Sequence, residues 1–405
     1  MQLNPIGLAV PVFFLLMLLE WWLSRRKKVQ VYRLNDTMAD LTCGMGDQLI
    51  NLVVGGVTLA AYASIEISWG WLDWKASDPL AWCAGIVLVD LMYYAYHRFA
   101  HRVNFGWATH MVHHQSEEYN LAVALRQPWF AQFYAWLFYV PIALLGVPAE
   151  VYAASFAINL LYQYWIHTQL IDRMGPFGWV FNTPSHHRVH HGTNPEYIDK
   201  NYAGIFIVWD RMFGTFEEEE AEVVYGVMKP LRSWNPVWAN VGPWAQLARD
   251  SASQDRFFDK FWMWFAEPGW SPDGVQHPPF PAEGRGYDKN GAPGLRHYMV
   301  AHLVPVIVAT SLVITFSAVW VPVWLAVGAI YITWTGLGWA WMIESKPGAM
   351  PMERLRLVVV ALASIYIATS LGGLLIWASA GAMTLISIIS WPWLGRGVMA
   401  TDASA

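Results

Sequence analysis

Apolar residues run in long unbroken blocks along most of this chain, not in the alternating or striped patterns of half-buried strands and helices. The first block covers about 5–23 and ends in Arg25-Arg26-Lys27-Lys28. A secretory leader carries its positive charges ahead of the apolar core, so this block reads as a spanning helix whose charged end faces the cytoplasm. Further blocks predict spans at about 49–67, 81–96, 129–145 and 151–166. The last two are separated by Gly146-Val147-Pro148 and read as a helical hairpin. A long polar stretch follows from about Thr168 to Arg296, with a Pro- and Gly-rich loop or linker at 273–293. Apolar blocks return at about 298–320, 323–342, 357–377 and 383–393. Blocks of 16 residues are short for a hydrocarbon core of ~30 Å, so some are expected to be re-entrant or interfacial.

Charge then orients the spans. If each block crosses once, the loop from Trp71 to Asp78 lies outside, and its Lys75 is the only one of the 25 Lys and Arg placed there. That bias supports the topology. Charged residues make up 14% of the chain and apolar residues 56%, which excludes an ordinary soluble domain. No strongly basic face is visible, and nucleic acid binding is not expected. Cys43 and Cys83 match no metal or redox spacing and read as small core residues. The expected fold is an all-α integral membrane protein, a multi-span helical bundle. Its expected divisions are N-terminal spans (1–80), a catalytic region (81–226), a cytoplasmic linker region (227–296) and C-terminal spans (297–405).

Candidate chemistry lies in the histidines. Of the 13, ten fall between positions 97 and 191, and the topology puts all ten at cytoplasmic helix ends or loops. His97 and His101 are four residues apart and share one helix face. His110, His113 and His114 share another. His186, His187, His190 and His191 form a third box, and His167 stands alone at the end of the hairpin. Any one histidine is more often structural than ligating. Ten crowded imidazoles would repel when protonated and lack partners when neutral, and shared metal removes both difficulties. Eight to ten ligands suit two ions. The Glu and Glu-x-x-His pattern of soluble di-iron bundles is absent among the boxes. Asp90 lies on a face similar to that of His97 and could orient a ligand or only join two helices. Arg188 could meet a lipid headgroup or the membrane surface, Glu217–Glu220 reads as a solvated loop, and His277, His297 and His302 receive no role.

The boxes, their order and their neighbours resemble the membrane di-iron family of fatty acid hydroxylases and sterol desaturases. Asp90-Leu-Met-Tyr-Tyr-Ala-Tyr-His97 is similar to the aromatic run into the first box. Asn201-Tyr-Ala-Gly204 and Trp209-Asp-Arg-Met-Phe-Gly-Thr215 are similar to the segment after the third. Within the family, His113-His-Gln-Ser-Glu-Glu-Tyr-Asn-Leu-Ala-Val-Ala-Leu-Arg126, Tyr162-Gln-Tyr-Trp-Ile-His-Thr168 and Asn182-Thr-Pro-Ser-His-His-Arg-Val-His-His-Gly192, continuing through Asp199-Lys-Asn-Tyr202, resemble the alkylglycerol monooxygenase branch. The resemblance is tight from about 90 to 226. It implies an O2-dependent oxidoreductase holding two Fe ions at the cytoplasmic face. The activity it implies is hydroxylation of the carbon beside the ether oxygen of an alkylglycerol lipid, with tetrahydrobiopterin or another electron donor. An electron-transfer partner and residence in a bacterial inner membrane or endoplasmic reticulum belong to the same expectation. By resemblance the ligands are His97, His101, His110, His113, His114, His187, His190 and His191, with His167 and His186 at positions that often ligate. Arg102 follows the first box where animal members of the branch carry Glu. A desaturase or acyl hydroxylase on the same scaffold is the alternative. A histidine-rich metal transporter is a remote one, since transporters place ligands near the bilayer midplane.

Overall fold

Among the described residues, helices form along most of the apolar blocks, and they overrun some blocks at ends where polar residues find buried partners. The computed structural model describes residues 5–275, 287, 294–315, 322–372 and 380–392. The chain divides into two compact units, one of residues 11–231 and 238–286 and the other of residues 1–10, 232–237 and 287–405.

α1 (Pro5–Lys27), which enters the first of these at Pro11, ends in the cationic turn Arg25, Arg26 and Lys27, where positive charge favours the helix dipole. α2 (Leu34–Trp69) begins well before the apolar block at 49. Its early turns carry Asn35, Asp36, Asp40 and Asp47, all buried. Asp40 pairs with Arg126 at 3.1 Å, and Asp36 accepts from Ser116. Partners from a distant loop thus extend the helix beyond what hydrophobicity alone marks. The later turns turn outward: Val53, Val57 and Ile67 are exposed.

α3 (Pro79–Arg102) has Pro at its first turn and runs without a break through both histidines of the first box. α4 (Asn104–His114) follows after the extended Val103. The expected span at 129–145 is not one helix. It is broken into short 3-10 turns and the six-residue α5 (Val140–Leu145). The reason is local: the Trp129 amide donates to Asn240 Oδ1 and its indole donates to the Cys43 carbonyl, both at 2.8 Å, so the chain is tied down laterally at its start. Gly146 turns the chain with φ of 97°. α6 (Ala149–Trp165) then packs back on α3, closely enough that a Cβ on Gly85 would lie 2.7 Å from Val151. α7 (Pro184–His190) and α8 (Val208–Phe213) carry the third box and the segment after it.

Residues 236–275 are not a plain linker in form. They hold α9 (Pro236–Ala252), α10 (Phe257–Trp262) and a two-stranded hairpin of β1 (Trp270–Ser271) and β2 (Gly274–Val275). Leu247 and Met263 close over Ala108 of α4. Of the loop expected at 273–293, only 273–275 and residue 287 lie among the described residues, and His277 lies outside them.

The other unit holds α11 (Leu295–Thr315), α12 (Pro322–Ile343), α13 (Ala349–Leu371) and α14 (Ala380–Pro392). Inside it Glu353 and Arg356 form a fully buried ion pair, with Tyr298 donating to Glu353. His302 bonds Ser390 at 2.9 Å and His297 is exposed. Four helices among the described residues are long and apolar enough to cross a membrane: Leu34–Trp69, Pro79–Arg102, Leu295–Thr315 and Ala326–Ile343.

Candidate metal centre

The three boxes arrive on three helices and one turn, and their imidazoles converge into two groups. His97, His101, His110, His114 and His190 form one, and His113, His167, His187 and His191 form the other. Within each group the ligand atoms lie within 4.8 Å of one another, and all nine residues are buried. Helical spacing explains the convergence. On α4, His110 and His114 serve one group while His113, about 60° around the helix from His110 and about 100° from His114, serves the other. On the third box, His190 turns to the first group and His187 and His191 to the second. His186 joins neither. It stands about 100° around the axis from His187, with its ring 5.3 Å from that of Phe216.

The nitrogen spacings match those of ligands on a shared ion. His97 Nε2 and His114 Nε2 lie 2.9 and 3.2 Å from His110 Nε2. His113 Nε2 and His187 Nε2 lie 3.2 and 3.1 Å from His167 Nε2. Two ligands at right angles, each ~2.1 Å from a metal, stand about 3.0 Å apart.

Hydrogen bonds on the opposite ring nitrogens favour a metal over a chain of histidine–histidine hydrogen bonds between His113 and His167. A carbonyl can only accept. His113 Nδ1 therefore donates to the Arg126 carbonyl at 3.0 Å, and His167 Nδ1 to the Gln163 carbonyl at 2.7 Å. Both neutral rings then present bare lone pairs at Nε2, and these two atoms face each other across 3.2 Å. Neither can donate to the other. A cation between them resolves the repulsion. His97 Nδ1 is likewise held by the Tyr202 carbonyl at 2.7 Å and His190 Nδ1 by the Lys200 carbonyl at 3.0 Å, which aims their Nε2 atoms inward. The Nε2 atoms of His101, His190 and His191 are buried with no hydrogen-bond partner among the described residues. Protons do not fill this role. Burial first, and the neighbouring imidazoles second, hold His110, His114, His187, His190 and His191 well below the usual histidine range. Burial holds His113 down to about 4. A neutral, all-imidazole donor set in two groups suits two ions of iron, zinc or copper type.

The carbonyl acceptors belong to the runs that flank the boxes. Asn201 takes a left-handed φ of 55°, a conformation Asn tolerates. The carbonyls of Lys200 and Tyr202 on either side of it receive His190 and His97. Asn201 Nδ2 donates to the His186 and Glu217 carbonyls at 3.0 and 2.8 Å. Asp210 accepts from the amides of Tyr202 and Ala203, each at 2.8 Å. Asp90 accepts from the Ile205 and Phe206 amides, the Trp209 indole and Asn159 Nδ2, at 2.6, 2.9, 2.8 and 2.6 Å. It joins α3 to α6 and holds the segment that follows Tyr202, whose carbonyl receives His97. Gly204 permits this approach, because a Cβ there would lie 2.7 Å from Asp90 Oδ1. On the other side, Arg126 donates to Val112 O, Asp40 and Gln115 Oε1 at 2.7, 3.1 and 2.9 Å, fixing the loop whose carbonyl holds His113. Arg188 meets neither headgroup nor open surface. It is buried and donates to both oxygens of Glu219 and to the Thr168 and Ile171 carbonyls. The acidic run is correspondingly pinned, with Glu217 at 3.5 Å from Lys200.

A cavity of about 570 Å3 reaches His101, His114, His190 and His191, and so touches both groups. α4, α9 and the 226–231 loop wall it, with Trp107, Met111, Leu231 and Leu247 as apolar surface.

Comparison with known proteins agrees with this arrangement. The fatty acid hydroxylase family model matches residues 82–215. Alkylglycerol monooxygenase of Xenopus tropicalis is 36% identical over 86% of this chain and 79% of its own length. The chain belongs to the alkylglycerol monooxygenase family. The family protein of Homo sapiens is 36% identical over 86% of this chain and 80% of its own, and that of Danio rerio 37% identical over 87% and 81%. No solved structure matches the chain. Family membership makes it an oxygen-dependent monooxygenase, and with the apolar helices a multi-pass membrane protein. The nine converging histidines and the flanking carbonyl cradle lie within 97–202, inside the matched region.

Proposed function

We propose that this chain is a membrane di-iron monooxygenase that oxidises an ether lipid. The substrate is an alkylglycerol, hydroxylated on the carbon next to the ether oxygen. One oxygen atom of O2 enters the lipid and the other leaves as water, with two electrons and two protons supplied. Tetrahydrobiopterin or a comparable donor, or an electron-transfer partner, provides the electrons. The hemiacetal then breaks to fatty aldehyde and a glycerol derivative. The observation that carries the reading is the pair of histidine groups with inward lone pairs, in a chain similar over most of its length to proteins named for this activity.

Two iron ions fit the donor set, one held by His97, His101, His110, His114 and His190 and one by His113, His167, His187 and His191. Bound iron would supply O2 activation. The chain supplies the rest. The carbonyls of Tyr202, Lys200, Arg126 and Gln163 hold the rings in the tautomer that ligates. Trp107, Met111 and Leu247 give the cavity beside the ligands an apolar wall that limits water around an ether carbon. His186 is left out of the ligand set on this reading. Residues 81–226 form the catalytic domain between the N-terminal spans (1–80) and the linker (227–296) and C-terminal spans (297–405), and α9 and α10 cover it. The site faces the cytoplasm, in the inner membrane of a bacterium or the endoplasmic reticulum of a eukaryote. The test is purified protein in nanodiscs with an alkylglycerol, O2 and reduced pterin, assayed for fatty aldehyde and for iron. About two irons per chain and aldehyde above a His187→Ala control are expected. Two irons with no aldehyde would reject the substrate, and a single zinc would reject the chemistry.

A further inference from the structure

One stripe of α3 changes along its length from hydrocarbon to cation. Leu91, Ala95, Arg98 and Arg102 recur at helical spacing and rise about 16 Å along the axis. That is close to half of a ~30 Å hydrocarbon core, the depth of one leaflet. With Phe99 and Phe213 this stripe lines an open groove of about 580 Å3, apolar until the two arginines. α3 is also one of the helices long and apolar enough to cross a membrane, which would set the groove against lipid chains.

Arg102 is the one residue common to this groove and to the cavity that reaches the histidines. It is held at 2.6 Å by Asp199 and at 2.6 Å by Glu267, and the guanidinium remains half exposed. The three charges come from separate segments: the end of α3, the loop after α7 and the stretch after α10. α10 exposes Phe257, Phe258 and Phe261, and the stretch after it exposes Phe265. This stretch is tied to the start of α4 by Asn104 N to Ala266 O at 2.8 Å and Phe105 N to Trp264 O at 2.9 Å. Exposed aromatic rings beside spanning helices suit the boundary between headgroups and chains. Rings seated at that boundary would put the Glu267 end of the clamp at the level where a lipid leaves the bilayer.

We propose that the α3 groove receives the hydrocarbon chain of the lipid substrate and that the Arg102–Asp199–Glu267 clamp is the passage from this groove to the histidine cavity. This rests on the lipid-oxidising reading above. The groove supplies chain binding, the aromatic stretch supplies the membrane surface, and Arg102 stands where groove and cavity meet.

The experiment uses full-length protein in nanodiscs doped with an alkylglycerol that carries a diazirine in its chain. After irradiation, adducts are mapped by peptide mass spectrometry. Labelling is expected between Leu91 and Phe99 and at Phe213. Ala95→Trp fills the groove and should lower that labelling on the order of tenfold, the loss expected for about two buried methylenes, while iron content stays at the wild-type value. Adducts that map only elsewhere, or groove labelling unchanged in Ala95→Trp, overturn the proposal. Aldehyde formation without groove labelling overturns the groove alone. Groove labelling in a protein that makes no aldehyde supports the groove and rejects the ether-cleaving reading.

Discussion

Asp90→Asn tests whether the segment after the third box governs the metal. The carboxylate accepts four donors: two amides, an indole and the Asn159 amide. An asparagine in its place keeps one carbonyl oxygen, which can take two of them. Its NH2 then faces the other two donors. Two buried donors left without partners cost about 1–3 kcal/mol each, so the variant loses roughly 2–6 kcal/mol against a typical total of about 5–15 kcal/mol. The protein should fold with a lower thermal midpoint. The more telling loss is local. Ile205 and Phe206 sit on different carboxylate oxygens, so one of the two amides is released, and the segment that carries the Tyr202 carbonyl on His97 Nδ1 is held at fewer points, with Asp210 still on the Tyr202 and Ala203 amides. Loss of such a partner lowers metal affinity about 10–100-fold. Iron per chain should be measured after stepwise exposure to a chelator. One iron, that of the His97 group, should leave the variant at chelator levels where the wild type keeps both. Asn159→Ala serves as the control, because it breaks the link to α6 and leaves the other three donors on Asp90. If Asp90→Asn keeps both irons to the wild-type chelator level, the positioning argument fails.

Three further outcomes follow from the same geometry. His187→Ala should lose iron and activity, whereas His186→Ala should keep about two irons per chain; equal iron loss in both would contradict the two-group assignment. Arg126→Met leaves Asp40 and the Val112 carbonyl buried without their partner and should cost about 3–5 kcal/mol, read as a fall in thermal midpoint partly restored by adding Asp40→Asn. The iron-free protein should lose stability as pH falls from about 6.5 towards 4. His113 and His186, each held down to about 4 chiefly by burial, stay neutral in the fold while the unfolded chain takes up protons below the ordinary value of 6.5. Their stabilising contribution is complete above pH 6.5 and falls by about 1.4 kcal/mol per pH unit per histidine. A thermal midpoint flat across that window would contradict the burial reading.

The histidine boxes were legible because ligation uses side chains and helices repeat. His97 with His101, and His110 with His113 and His114, share faces whatever else the chain does. His167 was legible only through its place after the hairpin and through resemblance. His186 joins the candidates because spacing pairs it with His190, while its ring lies against Phe216 and outside the two groups that His190, His187 and His191 enter. Arg188 looked like a surface cation because its partners, Glu219 and two carbonyls, lie in other segments. The polar early turns of α2 had no apolar signal, since their stability comes from the loop of Ser116 and Arg126. The span expected at 129–145 failed for the opposite reason: the residues are apolar, but Trp129 is tied sideways to Asn240 and Cys43.

The same contrast explains why resemblance extends past the histidines into runs that contain no ligand. Asn201–Gly204, Trp209–Thr215 and the stretch ending at Arg126 place backbone carbonyls, and a carbonyl leaves no mark in the residue that bears it. Its position is set by neighbours: Asn201 by its left-handed turn, Gly204 by the room it leaves at Asp90, Asp210 by the two amides it holds, Arg126 by its grip on Asp40 and Gln115. Each carbonyl fixes one imidazole tautomer, and one tautomer per ring is what makes His113 and His167 confront each other as bare lone pairs. The metal requirement is therefore written less in the number of histidines than in the residues that deny them protons on the inner nitrogen.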